Sequence, residues 1–198
     1  MRQFIVIGHD VPTDPDAVSL ADLPGAGRLD VLCRCLNSAF FLSHDLRDNV
    51  RVWLVVGDEY AIRFEGSELR RLNPDERSTA ALVRGALAAR EKAIGSMAAN
   101  PSPGVYIRTQ SLSGLLESVA DDGPLVTLHE DGQPVVDIDP SAEPTFVLSD
   151  HHSFDDAETA LLAAHADRRV SLGPEPLHAD HAITVAHNYL DTDGYNRY

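Results

Sequence analysis

Lysine is nearly missing from this chain. Among 198 residues only Lys92 carries an ammonium side chain, and the other 15 basic residues are arginines. Cysteine is almost as scarce, with Cys33 and Cys35 alone. Their C-x-C spacing is too tight for an easy disulfide, and no second Cys pair completes a zinc site. They are expected to be small buried apolar residues. No stretch approaches the roughly 18 apolar residues that a membrane helix requires. The opening MRQFIVIGHD lacks the long apolar region and the small-residue cleavage site of a signal peptide. Phe4–Ile7 reads instead as a buried first strand, and the chain is expected to be cytoplasmic. Two phosphate-binding signatures are also absent. No G-x-G-x-x-G follows a strand and no P-loop occurs, so neither a dinucleotide site nor an NTPase is supported.

Carboxylates are abundant. Asp plus Glu number 31 against 16 Lys plus Arg, a net charge of −15. An acidic chain ordinarily avoids nucleic acid, because phosphate contacts need Lys and Arg. Molar salt changes that argument. The Debye length falls to about 3 Å at 1 M, so self-repulsion is screened and a carboxylate coat is tolerated. The acidity therefore reads as adaptation to salt rather than as a statement about the partner.

Apolar periodicity predicts strands at Phe4–Ile7, Val50–Val56, Tyr60–Phe64, Val105–Arg108, Leu125–Leu128, Thr145–Leu148 and Val170–Leu172. Helical spacing predicts helices over Leu29–Leu46, Asp75–Ile94, Leu112–Val119 with Ser111 as N-cap, Ala157–Ala166 and His178–Leu190. Alternation of the two argues an α/β fold with a mostly parallel sheet. Gly57-Asp58-Glu59 predicts a hairpin and thus a local antiparallel pair. Val11–Arg28, Ala99–Gly104 and Asp131–Pro144 read as loops. Nothing splits the chain, and one domain over residues 1–198 is expected.

Several clusters invite chemistry. Asp150-His151-His152 leads from a strand into a helix, at the end of a parallel sheet where ligands bind. Neighbouring histidines could ligate zinc or iron. Adjacent side chains commonly diverge, however, and no third imidazole stands at fixed helical spacing nearby, so no metal is assigned. His178 and His181 read as a solvated helix face. Ser43-His44-Asp45 holds the residue types of a hydrolase triad, but consecutive side chains cannot meet in the required line.

Three segments carry a resemblance. They are Gly27–His44 (GRLDVLCRCLNSAFFLSH), Phe146–His151 (FVLSDH) and Ser171–Ala182 (SLGPEPLHADHA) running into Asn188–Asp191. Together they resemble the archaeal tRNA pseudouridine N1-methyltransferases of the knotted SPOUT superfamily, and the similarity extends over essentially the whole chain. The resemblance implies a SPOUT-type α/β fold with a deep C-terminal trefoil knot, a homodimer, and S-adenosylmethionine held by three strand-end loops without metal. Carried onto this chain, the cofactor residues are Leu128, Leu148, Ser149, Asp150, Ser171, Leu172, Gly173, Pro174, Glu175, Pro176, Leu177 and Ala182. Family members often carry Gly where Ser149 stands and a cysteine near Ala182, so a thiol role is excluded there. Arg28 and Asp30 match an Arg-x-Asp element of a sister family that methylates pseudouridine in ribosomal RNA. By that likeness Asp30 accepts or orients the N1 proton and Arg28 holds the base or a phosphate. A helix N-cap is the competing role for Asp30. Arg70, Arg71 and Arg77 echo an RNA-contact segment, with a solvated face as the alternative. The implied reaction is N1-methylation of a pseudouridine in the tRNA T-loop, position 54. The alternatives are another RNA position, or an RNA-binding protein that has lost catalysis.

Overall fold

The computed structural model describes residues 1–95, 97–140 and 143–198. Its strands are β1 (Arg2–Gly8), β2 (Val50–Val56), β3 (Tyr60–Glu65), β4 (Ala99–Ser102), β5 (Val105–Thr109), β6 (Leu125–Pro134), β7 (Thr145–Ser149) and β8 (Arg168–Ser171). Its helices are α1 (Leu29–Phe40), α2 (Glu76–Ala88), α3 (Leu112–Val119), α4 (Asp156–His165) and α5 (Ala179–Asp191). The strands form one sheet in the order β4-β5-β3-β2-β1-β7-β6-β8. From β2 through β8 in that order every pairing is parallel, whereas β3, β5 and β4 add antiparallel pairs on the other side.

Burial explains the parallel half. Phe4 and Val6 face one layer, where α1, α2 and α5 supply Leu32, Leu36, Val83, Leu87 and Ile183. Ile5 and Ile7 face the other, with Leu115 and Leu116 of α3 and Leu162 of α4. Strands covered on both faces read as continuous apolar runs, as Phe4–Ile7 does. The expected hairpin is present. Gly57 and Asp58 both have positive φ (62° and 47°), and Glu59 N–H donates to Val56 C=O at 3.2 Å. That is the type I′ geometry whose twist suits antiparallel strands. Ser111 caps α3 by accepting from Gly114 N–H, and Asp75 caps α2 by accepting from Ser78 N–H.

The structure departs from the sequence reading in four places. First, α1 stops at Phe40 rather than continuing to Leu46. Phe41 turns to extended φ/ψ, Leu42 N–H donates to Asp45 C=O at 2.8 Å, and Arg47 N–H donates to Phe40 C=O at 2.7 Å. Ser43-His44-Asp45 thus closes a turn, where short polar side chains compete with helix. Second, α2 ends at Ala88, and Arg90–Lys92 forms a separate 3-10 turn. Third, Ala99–Ser102 is not loop but an edge strand. Fourth, β6 runs beyond Leu128 to Pro134 through part of the segment read as a loop; residues 141–142 of that segment lie outside the described residues. This extension is polar, so no apolar pattern announces it. It exists because Gly132 lies against β8: a Cβ there would sit 2.4 Å from the Val170 carbonyl carbon.

Cys33 and Cys35 are free and buried, and burial pushes both thiols up in pKa. The apolar faces of α1 and α5 are packed within the chain. Leu29, Leu32, Leu36 and Ile183 have no exposed area, and each such side chain contributes roughly 1.5–3 kcal/mol of burial. Among the described residues no helix is long and apolar enough to cross a membrane.

Candidate cofactor and substrate site

The carboxyl ends of β6, β7 and β8 and the start of α5 surround a cavity of about 170 Å³. Every expected cofactor residue except Pro174 lines it: Leu128 from β6, Leu148 and Ser149 from β7 with Asp150 just after it, Ser171 at the end of β8, Leu172, Gly173 and Glu175 to Leu177 from the loop that follows, and Ala182 from α5. Pro174 lies outside that lining. His129, at the end of the first strand-end loop Leu125–His129 that the resemblance implies, also contributes, as do His152, Phe154 and Ala179, which the sequence reading did not include. Gly173 has a distinctive place. A Cβ added there would meet no protein atom within 4 Å. Close packing of the chain therefore does not require this glycine, which lines the cavity with open space beside it.

Asp150 anchors the β7 end. Its carboxylate is fully buried and accepts from His9 N–H at 3.0 Å, from His152 N–H at 2.9 Å, and from His9 Nδ1 at 2.9 Å. Burial raises its pKa, but those N–H bonds and the His9 ring outweigh it, and the net shift is downward. The Nε2 atom of His9 in turn lies 3.1 Å from Glu158 of α4. Burial opposes a charged His9, yet its bonds to Glu158 and Asp150 prevail and raise its pKa. Glu158 completes a capping box with Asp155 at the α4 N-terminus. One imidazole thus ties β1, β7 and α4 together. In the sequence His9 had no signal beyond its place at a strand end.

Arg28 and Asp30, the pair expected on the substrate side, sit at the N-terminus of α1. Arg28, not Asp30, occupies the N-cap position, with left-handed φ of 58°, and no side chain caps this helix. Gly27 precedes it at φ 64°, and a Cβ there would lie 1.9 Å from Asp10 C=O. The turn is therefore pressed against the end of β1. A non-glycine residue at positive φ is costly and tends to mark functional turns. Asp30 is buried in the first helical turn and accepts from Arg28 Nε and Nη2 (3.0 and 3.1 Å) and from Arg34 Nη1 (2.8 Å). Burial raises the Asp30 pKa, but the two guanidinium partners overcome it and lower it. The N-cap role weighed for Asp30 is thereby corrected: its carboxylate holds arginines, not backbone N–H groups.

Arg34 was absent from the sequence reading, although its i,i+4 spacing from Asp30 was visible. It also reaches Glu76 at 3.3 Å and Asp180 at 3.7 Å. Asp180 stands between the cavity residues Ala179 and Ala182 at the start of α5. Through Arg34 and Asp180 the α1 turn adjoins the cavity. Arg70, Arg71 and Arg77 are exposed, and Arg77 adjoins Glu76 in the first turn of α2. His178 and His181 are exposed with rings 5.9 Å apart, as a solvated face requires. His151 and His152 do not diverge as expected: their ring centroids are 3.9 Å apart.

The cavity suits a bent sulfonium nucleoside. Leu128, Leu148, Leu172 and Leu177 offer apolar wall, Ser149 and Ser171 offer hydroxyls, and the strand ends offer main-chain groups. The empty space beside Gly173 admits ligand atoms where another residue would place a Cβ.

Comparison with known proteins identifies a family. A family model described as "Putative SAM-dependent RNA methyltransferase" matches residues 1–195. A relative from Haloferax volcanii named tRNA (pseudouridine(54)-N(1))-methyltransferase is 69% identical over the full length of both chains. One of the same name from Methanococcoides burtonii is 44% identical, covering 96% of each chain. Among solved structures, Archaeoglobus fulgidus Nep1 bound to S-adenosylhomocysteine superposes with a TM-score of 0.68 at 12% identity, covering 99% of both chains, a likeness of fold. With the family model spanning nearly the whole sequence and full-length relatives far above chance identity, the chain belongs to this RNA methyltransferase family.

Proposed function

We propose that this chain transfers a methyl group from S-adenosylmethionine to N1 of the pseudouridine at position 54 of tRNA. The observation that carries the reading is the convergence of three strand-end segments on one cavity beside the Arg28–Asp30–Arg34 cluster. The names of the full-length relatives supply the substrate.

When bound, the cofactor supplies an electrophilic methyl group. The chain's residues align and polarise the nucleophile. An ionised carboxylate has about four acceptor positions. Arg28 and Arg34 donate three bonds to Asp30, which leaves a position for an N1–H donor. The lowered pKa of Asp30 makes it an orienting acceptor rather than a proton store, so the proton that N1 loses on methylation passes to solvent. Arg28, partly exposed at the helix tip, places a guanidinium where negative charge on the base would develop. Arg70, Arg71 and Arg77 meet phosphates of the RNA.

The same reading includes a homodimer, a trefoil knot in the C-terminal half, one domain over residues 1–198, cytoplasmic location and independence from metal. Light scattering in high salt is expected to give twice the chain mass, and a single-chain mass removes the dimer. Methyl transfer is expected to survive EDTA; loss of activity restored by one divalent metal would count against metal independence. The central test is a tRNA transcript carrying pseudouridine at position 54, incubated with enzyme and cofactor and mapped by mass spectrometry. A methyl at N1 supports the reading; methylation elsewhere, or none with bound cofactor, overturns it.

A further inference from the structure

Beside the cavity, Asp10, His151 and His152 present one ligand atom each, and these atoms lie within 4.8 Å of one another. Among the described residues this is the group of His, Cys, Asp or Glu side chains that converges in this way. We propose that it is a binding site for one borderline transition-metal ion of the Zn²⁺ class, separate from methyl transfer. Two imidazoles and a carboxylate favour Zn²⁺, Ni²⁺ or Cu²⁺ over Mg²⁺ or Ca²⁺, which take oxygen ligands. Three protein ligands with a position left for water is a common open zinc arrangement.

The geometry is close to closing. His152 Nε2 lies 2.8 Å from Asp10 Oδ2, and the His151 and His152 rings lie 3.9 Å apart. With metal–nitrogen and metal–oxygen bonds of about 2.0–2.2 Å, tetrahedral ligand atoms stand roughly 3.3 Å apart. The required adjustment is on the order of 1.5 Å, within reach of exposed side chains that move by rotamer changes. The buried Asp150 carboxylate lies behind the pair: its Oδ2 stands 3.5 Å from His151 Nδ1, and its Oδ1 accepts the backbone N–H of His152 at 2.9 Å, which holds the His151–His152 backbone in place. The ligands come from two chain segments, the end of β1 and the loop after β7. A bound ion would therefore clasp one wall of the cavity, where His152 is a lining residue.

The test uses the full chain stripped by chelator and titrated with Zn²⁺ by calorimetry, with Co²⁺ absorption as a second reading of coordination. Asp10→Asn and His151→Ala each remove a ligand outside the cavity lining, and His44→Ala removes an exposed histidine elsewhere. The expected result is one ion per parent chain, with affinity at least about tenfold weaker in the first two variants and unchanged in His44→Ala. Melting curves without metal, matching the parent, exclude misfolding. Absence of Zn²⁺ binding in the parent overturns the site. So does undiminished affinity in Asp10→Asn and His151→Ala, or binding lost instead in His178→Ala, which would place the ion on the His178–His181 pair.

Discussion

At the scale of single residues, Asp30 carries the sharpest prediction. Its charge holds two guanidinium groups and is offered to the N1 proton in the proposed reaction. Asp30→Asn keeps the shape, removes the charge and replaces an acceptor with a donor. The methylation rate in a single turnover is expected to fall about 10²-fold or more, while S-adenosylmethionine affinity, measured separately, stays near the parent value. A parental rate would strike Asp30 from the reaction. Part of this neighbourhood was legible beforehand. Asp30 and Arg34 are four apart on a helix, a spacing that brings opposite charges together. The Arg28 backbone conformation was not legible, because the left-handed turn follows from Gly27 lying against Asp10, a contact across the fold. His9 was equally hidden: its partners Asp150 and Glu158 are more than a hundred residues away and only sheet pairing brings them near.

Elements show how much of the fold the apolar pattern reveals. The buried strands and α3 matched their expected spans closely, since period and turn residues agree there. The end of α1 and the polar tail of β6 did not, because a local turn decides one and backbone pairing the other. Two glycines on that side of the molecule make this testable. Gly132→Ala forces a Cβ into the Val170 backbone, and overpacking of this kind costs about 1–3 kcal/mol or more, so the melting temperature should fall. Gly173→Ala meets open space. Its melting temperature should stay unchanged while cofactor affinity drops, since the added methyl enters the cavity. A Gly173→Ala enzyme that binds cofactor normally would take that residue out of the site.

A second element, α5, makes stability depend on pH. His187 lies buried against α1, with its Nε2 3.0 Å from Ala39 C=O and its Nδ1 2.9 Å from Arg2. Burial, with Arg47 and Arg2 nearby, lowers its pKa from 6.5 to about 3. Between those values the unfolded chain takes up a proton that the native chain refuses. Stability is therefore full above about pH 6.5 and declines as pH falls toward 3, by about 5 kcal/mol at most from this group. Melting curves at fixed salt should show that decline, and His187→Gln should flatten it.

The molecule as a whole carries a net charge of −15, and its behaviour in salt follows from two opposed terms. Screening relieves self-repulsion, so the melting temperature is expected to rise with KCl. RNA contacts weaken with salt as counterion release loses its advantage. A melting temperature indifferent to salt would remove the argument for salt adaptation. Arg77→Ala should weaken tRNA binding and lower the salt slope by about one unit, leaving cofactor affinity alone. Unchanged RNA affinity would return Arg77 to an ordinary solvated surface. Composition alone announced the first trend. It could not place the arginines relative to the cavity, because that depends on α1, α2 and α5 meeting around Arg34, Glu76 and Asp180.

The position of β1 has a consequence for synthesis. This strand is made before the seven others of the sheet, yet it lies in mid-sheet, between β2 and β7. Its second neighbour begins at Thr145, so a growing chain holds Phe4–Ile7 with one side unpaired until most of the protein has left the ribosome. Strand pairs this distant in sequence form slowly, and an unpaired apolar strand invites association with other chains. A ribosome stalled before β7 would present a nascent protein prone to aggregation, whereas emergence of β7 would let β1 pair on both sides.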